Sequence, residues 1–494
     1  MKSIAHFSEE NTRISTSLDQ FFQVFSLSSL LRRCRMQKKR GVSTTSLFQF
    51  VFRLPFTGKN LYHTFASSST PVDFSIHTVY RFWKKATYHW SRFLLLVSTR
   101  CIKRFVHPYN NADRIPVIIA DDTMIAKPYS SHMDMLSYVW DHAEGKSRQG
   151  FSCLTLGWSD GSTFCPLSFR LLTSKRHHVN DTYWDWTWNR HPSSLAYQRR
   201  ERSTESKPTV LVSLLQEAQQ AKIPARHVVF DSWYTSPALC REIVSKTGYH
   251  CIGLLKNNRT RYRRIVGSET ALTYSSPMRL SELYALCRKE GEESSQQSKI
   301  RLSKKIHLRI YGDIQVSLGD IETGCPLRAK IVFVSAHHHG KKNTKARSWI
   351  AILSTDTSLS SYEIVRLYSK RWDIEVFFKT MKSLLHVEKE YQFRSFDSMI
   401  AYMTMSFVRY IYLAWHSRQN TDVRTYGELY YQVWDELQDV TFQEAMERVL
   451  TILQKIMIDN FPAVAEKIHT LFTLFMQTLP SYTLGRLRYM NCKS

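Results

Sequence analysis

Tyr368-Ser369-Lys370-Arg371-Trp372-Asp373-Ile374-Glu375-Val376-Phe377-Phe378-Lys379-Thr380-Met381-Lys382 has the spacing of an amphipathic helix with two unlike faces. At about 100° per residue, Tyr368, Arg371, Glu375, Lys379 and Lys382 fall on one side. The other side collects Leu367, Ile374, Phe377, Phe378, Met381, Leu384 and Leu385, an apolar stripe wide enough to pack onto a sheet. On that geometry alone the segment is equally an ordinary surface helix, with Glu375 paired to Arg371 or Lys379 at i, i±4. The residue types add a second reading. A lone Glu among Tyr, Arg and two Lys joins an oxygen ligand for a cation to donors for phosphate, Arg as a bidentate fork and Lys as a point charge.

Upstream the texture is that of strands. Val117-Ile118-Ile119-Ala120 is a short apolar, partly β-branched run, and it is expected to end in Asp121-Asp122-Thr123. Phe151 to Trp158 and Phe164 to Leu172 are strand-like and flank Ser159-Asp160-Gly161-Ser162, whose Asp-Gly predicts a hairpin turn. A helical stretch from Pro208 leads to Val228-Val229-Phe230, and this second strand also runs into an aspartate, in Asp231-Ser232-Trp233-Tyr234. Neighbours in an extended strand point to opposite faces, so only one of Asp121 and Asp122 is expected in any one site.

Around this centre the chain divides by composition. Residues 1–108 read as a helical, basic region with the cluster Arg32, Arg33, Arg35, Lys38, Lys39, Arg40. Within it, Ser75 to Lys85 suits either a recognition helix on DNA or an amphipathic core helix. Residues 265–355 alternate with period two (Ile306, Leu308, Ile310, then Ile314, Val316, Leu318) and predict a β-rich insertion. Its polar stretch from His337 to Arg347 carries Lys341, Lys342, Lys345 and Arg347, suited to phosphate. His337-His338-His339 is expected in that surface loop, because adjacent residues rarely aim at one ion. The aromatic run Tyr183 to Trp188 has no assigned role, and residues 419–494 read as helical without a motif.

Lys+Arg 68 against Asp+Glu 42 leaves a formal charge of +26 in 494 residues, an excess that points to a polyanionic partner, nucleic acid first. No stretch approaches the roughly 20 apolar residues of a membrane span. Met1 to Glu10 lacks an apolar run of signal-peptide length, so export is not expected and a cytoplasmic location is. The nine cysteines are scattered and form no CxxC, which disfavours a disulfide framework and structural zinc.

The spacing Y-x2-R-x3-E-x6-K, met by Tyr368, Arg371, Glu375 and Lys382, resembles the signature of DDE transposases of bacterial insertion sequences, specifically insertion-sequence family four. Asp121-Asp122-Thr123 and Asp231-Ser232-Trp233-Tyr234 resemble that family's two aspartate segments in the same order. The β-rich insertion before the glutamate is similar to the family's own. The resemblance covers roughly residues 110 to 410.

The resemblance implies an α/β fold with an RNase H-like catalytic core, a mixed five-stranded sheet flanked by helices. That core would occupy 109–264 and 356–418, interrupted by the β-rich insertion at 265–355, with a helical DNA-binding region at 1–108 and a helical C-terminal region at 419–494. It implies Asp121, Asp231 and Glu375 as catalytic residues and ligands of two Mg2+ ions, with Mn2+ as a substitute, and favours Asp121 over Asp122 by the family pattern of Asp, a variable residue, then Thr. Tyr368, Arg371 and Lys382 would hold DNA phosphate, Lys379 would add charge, and Trp372 would border the polar face. The implied activity is cut-and-paste transposition: binding of terminal inverted repeats, hydrolytic strand cleavage, hairpin formation as one route, and strand transfer into target DNA. The implied partners are double-stranded DNA and a second copy in a synaptic homodimer, with no membrane. The alternative reading is a catalytically inactive, transposase-derived DNA-binding regulator.

Overall fold

Strand formation begins where the apolar run predicts it. In the computed structural model Val117, Ile118, Ile119 and Ala120 are fully buried and open a strand that runs on to Ala126. The structure describes residues 16–58, 60–66, 72–110, 114–141, 144–175, 178–179, 191–266, 273–293, 298–301, 306–319, 326–338, 349–388, 393–419, 425–460, and 466–468, 470, 471 and 474. The run Tyr183 to Trp188 and the basic residues Lys341, Lys342, Lys345 and Arg347 lie outside the described residues.

The core sheet is built from β1 (Val117–Ala126), β2 (Ser137–Asp141), β3 (Lys146–Ser159), β4 (Phe164–Leu172), β5 (His227–Phe230) and β6 (His250–Leu255). β3 and β4 form the expected hairpin. Gly161, at φ 91°, makes the turn, and the buried Asp160 Oδ1 accepts from the backbone N–H of Ser162 and Thr163. β3 also pairs antiparallel with β2 and β1, and β1 pairs parallel with β5, as β5 does with β6. The order β4-β3-β1-β5-β6 is thus antiparallel on one side and parallel on the other. The expectation that the first strand stops at Asp121 is corrected: β3 pairs along the whole of β1, Asp121 opposite Thr155 and Asp122 opposite Leu154. Backbone partners continue past the apolar residues, so the strand does too.

The β-rich stretch adds β7 (Arg261–Val266), β8 (Thr273–Tyr274), β9 (Met278–Arg279), β10 (Ser298–Arg301), β11 (Ile306–Leu318), β12 (Leu327–His338) and β13 (Trp349–Ser354). β13 pairs antiparallel with β6, so these strands extend the core sheet. Gly312, at φ 95°, lies where β11 gains a residue against β12, between Tyr311 and Ile314. His337 and His338 belong to β12, paired with His307 and Ile306 of β11, which corrects the expected loop at those two positions. The ladder's hydrogen bonds outweigh the polar character that suggested a turn.

Two compact units are present. One holds the described residues up to Ser28, those of Arg40–Val79 and those from 425 on; the other holds Ser29–Lys39 and Tyr80–Asp422. In the first unit, Thr16 and Asp19 form a capping box on the helix Ser17–Val24, and the Ser17 hydroxyl donates to Glu436 Oε2 at 2.6 Å. Phe21, Phe48 and Phe52 are buried there. In the second, the helix Trp372–Ser383 places Phe377 among Phe164, Phe407 and Tyr410, with ring centroids 4.8 to 5.1 Å away. Among the described residues no helix is long and apolar enough to cross a membrane.

Candidate active site

β1 and β5 run parallel with Ala120 opposite Phe230, so the next residues stand at one level, Asp121 still within β1 and Asp231 just past the end of β5. Asp231 ends its strand in a tight turn: its Oδ1 accepts from the Trp233 N–H at 2.9 Å and its carbonyl from the Thr235 hydroxyl at 2.8 Å. That turn fixes the carboxylate at the sheet's end.

Alternation along β1 separates the two aspartates. Asp121 Oδ2 accepts from Arg371 Nη1 at 2.8 Å. Asp122 is held by other groups: Tyr234 OH donates to its Oδ1 at 2.7 Å, and Lys207 Nζ and the Ser152 hydroxyl donate to its Oδ2 at 2.7 and 2.9 Å. Both oxygens of Asp122 are satisfied inside the protein, whereas Asp121 faces Glu375 through Arg371. Asp122 thus cross-links the sheet to Tyr234, which follows β5, and to Lys207.

The quoted segment is not one helix, as expected, but two. Ser361–Ser369 and Trp372–Ser383 meet at Lys370 and Arg371 through bonds of i→i−3 type, Lys370 N–H to Leu367 O at 3.3 Å and Arg371 N–H to Tyr368 O at 3.0 Å. Two tethers account for the tightening. Lys370 Nζ donates to the carbonyls of Ile115 and Asp160 at 2.5 and 3.1 Å, and Asp373 accepts from the Ser159 hydroxyl. Arg371 sits at the junction and its Nη2 still reaches Glu375 Oε1 at 3.0 Å. One guanidinium therefore bridges Asp121 and Glu375.

Burial pushes the Asp121 carboxyl up to about 7; Arg371 opposes this, and the charge of Asp231 adds to it. Burial also raises the Tyr368 hydroxyl, against Arg371 and with Asp231 and Asp121. The mutual influence of Asp121, Asp231, Tyr368 and Arg371 places them in one electrostatic neighbourhood. Among the described residues, however, no group of three or more His, Cys, Asp or Glu side chains stands ready to hold a metal ion, since Arg371 stands between Asp121 and Glu375. In kind the donors fit a hard divalent cation: all are carboxylate oxygens, and a buried carboxylate pushed up to about 7 beside a second carboxylate is short of positive charge.

The remaining expected residues are more dispersed. Trp372 is 65% exposed at the first turn of its helix, and Lys379 is exposed. Lys382 pairs with Glu388 Oε1 at 3.3 Å. Trp233 is 42% exposed, with Lys207 Nζ 5.1 Å from its ring centroid. Tyr234 is buried. Lys207, Ser152 and Lys370 escaped the sequence reading because their partners lie far away along the chain. The only local hint was Lys207 at the start of a helix whose cap, Ser206, was readable.

Residues 59–277 match a family model described as DDE superfamily endonuclease, and residues 189–410 match one described as transposase DDE domain. No curated protein matches the chain. The first match takes in Asp121 and Asp231 and the second Asp231 and Glu375; together they support a DDE transposase.

Proposed function

We propose that the protein is a cut-and-paste transposase of the insertion-sequence family-four type, with an RNase H-like core and Asp121, Asp231 and Glu375 as its catalytic carboxylates. The observation that carries the reading is the Arg371 bridge between Asp121 and Glu375 beside Asp231. Three acidic residues far apart in sequence are gathered around Arg371 beside the end of β5, and a structural role alone gives no reason for that.

DDE-type nucleases use divalent metal ions. In this reading Asp121, Asp231 and Glu375 would hold two Mg2+ ions, replaceable by Mn2+, which would activate the attacking oxygen and offset charge on the leaving one. The protein's own residues do the rest. Arg371 turns its fork from the carboxylates to the phosphate flanking the scissile bond, a geometry that Lys cannot copy. Tyr368 donates its phenolic proton to the same phosphate, and Lys379 and Lys382 add positive charge along the strand. Trp372, exposed beside Arg371, offers a face for an unstacked base. Water adds to phosphorus and the P–O3′ bond breaks, leaving a 3′-hydroxyl and a 5′-phosphate. The 3′-hydroxyl then attacks a second phosphodiester, whose P–O3′ bond breaks to release a new 3′-hydroxyl, giving hairpin ends or joining to target DNA.

The basic residues of 1–108 are assigned to terminal-repeat binding, the β-rich insertion at 265–355 to DNA contacts, and a synaptic homodimer to the working form, acting on nucleoid DNA in the cytoplasm. The test incubates purified protein with a DNA fragment carrying its own gene and flanks in Mg2+ or Mn2+, beside Glu375→Gln. Cuts at both flanks on denaturing gels, absent in the variant and followed by joining to a second DNA, are expected. Salt-sensitive binding without cuts would replace this reading with that of an inactive regulator.

A further inference from the structure

A second site of different character lies beside β4. A cleft of about 580 Å³ is bounded by the helices Trp90–Arg100, Leu195–Ser203 and Phe396–Gln419, within the range of small-molecule sites. Its inner wall is apolar: Leu95 and Leu96 are half-buried, with Phe169 and Phe396 buried behind them.

The rim is basic. Arg170 is paired with Glu217 at 2.5 Å, and Arg199 with Asp397 at 2.6 Å. Arg92 and Arg202 are exposed, and among the described residues neither meets a carboxylate within ion-pair distance. The crowding is felt by His89, whose imidazole is held below its ordinary range by burial and by the charges of Arg199, Arg35, Arg92 and Arg202. Unpaired guanidinium groups above an apolar wall call for a ligand anionic at one end and flat and apolar at the other.

We propose that this cleft binds a nucleotide, its phosphate on Arg92 and Arg202 and its base against Leu95 and Leu96. The nucleotide is either free or part of a DNA strand. Register favours the strand: Asp121 is opposite Thr155 and Thr155 opposite Phe169. Two strand spacings, roughly 10 Å, therefore separate the cleft wall from the carboxylate site along the sheet. The proposal stands without the transposase reading, because none of these residues belongs to that site.

The test is calorimetric titration of the full-length protein with dAMP, with a four-nucleotide DNA and with inorganic phosphate. The proteins compared are wild type, the double variant Arg92→Glu, Arg202→Glu, and Asp231→Asn. Nucleotide binding is expected to fall at least ~10-fold in the double variant, as two charge-assisted contacts are lost, and to persist in Asp231→Asn. Binding of both nucleotide probes supports a site for free nucleotide, and binding of the tetranucleotide alone supports the DNA-strand source. Binding unchanged by charge reversal, binding of neither nucleotide probe, or phosphate bound as tightly as dAMP overturns the proposal. Both replaced side chains are exposed, and an unchanged melting temperature confirms that the variant is folded.

Discussion

Arg371 donates from Nη1 to Oδ2 of Asp121 at 2.8 Å, joining two residues 250 positions apart. Its other terminal nitrogen is bound to Glu375 at 3.0 Å. The single guanidinium offsets part of the charge of the two carboxylates, and in the proposed reaction it would follow the phosphate. Arg371→Ala is expected to cut DNA cleavage by ~10²-fold or more while changing DNA affinity less than ~3-fold. Parallel cleavage and binding assays check this, and an equal loss of both would refute it. Arg371→Lys restores little, because an ammonium makes no fork.

Asp231→Asn and Glu375→Gln are expected to abolish cleavage and leave salt-dependent DNA binding in place. Each removes a charge from the carboxylate site without altering the basic surface that neutralises phosphates. Filter binding across a salt series, read beside the cleavage gel, separates the two properties.

The proposed function gives the neighbouring aspartates different roles. Asp121→Asn is expected to remove cleavage from a protein that folds. Asp122→Asn weakens the charged contact with Lys207, and its amide cannot accept from Tyr234 OH and Ser152 as well as the carboxylate does. It should cost about 1–3 kcal/mol of stability. Denaturant melts and cleavage rates on both variants test the division, which fails if Asp121→Asn proves the more destabilising.

Gly253 predicts a remote route to inactivation. A Cβ there would stand 2.2 Å from the Thr235 hydroxyl, which donates to the Asp231 carbonyl, and 2.8 Å from the Phe230 ring. Gly253→Ala is expected to shift the Asp231 turn, cost about 1–3 kcal/mol by overpacking and lower cleavage, although it touches no carboxylate. Full activity in that variant would show that the turn tolerates movement.

Asp397 anchors the packing behind the sheet. Burial raises its carboxyl, but Arg200 and Arg199 outweigh that and hold it below the usual range. A depressed carboxylate contributes stability above its unfolded pKa and loses it as pH falls through the folded value. Asp397→Asn, which among the described residues leaves Arg199 without a carboxylate and buried Arg200 with Asp134 alone, is expected to cost about 3–5 kcal/mol at neutral pH. The gap to wild type should narrow as pH drops below about 4. Urea melts between pH 3 and 7 measure it.

Local order was legible in the sequence wherever a few neighbouring residues carry it. The apolar run at Val117–Ala120, the Asp-Gly hairpin, the strand before Asp231 and the apolar stripe from Ile374 to Met381 each announce an element, because a continuous apolar run, a turn dipeptide and burial of every third and fourth side chain are local patterns. Asp121, Asp231, Arg371 and Glu375 were legible as residue types, and the net charge of +26 as an expectation of a polyanionic partner. Tertiary structure decided what depends on partners distant in sequence. It took β1 past Asp121 because β3 supplied hydrogen bonds, and it broke the Tyr368–Lys382 helix because Ile115, Ser159 and Asp160 hold Lys370 and Asp373. It turned Asp121 towards Arg371 and gave Asp122 to Lys207, Tyr234 and Ser152. A strand's alternation says that two neighbours face apart; only the groups packed on each face determine which of them meets the glutamate.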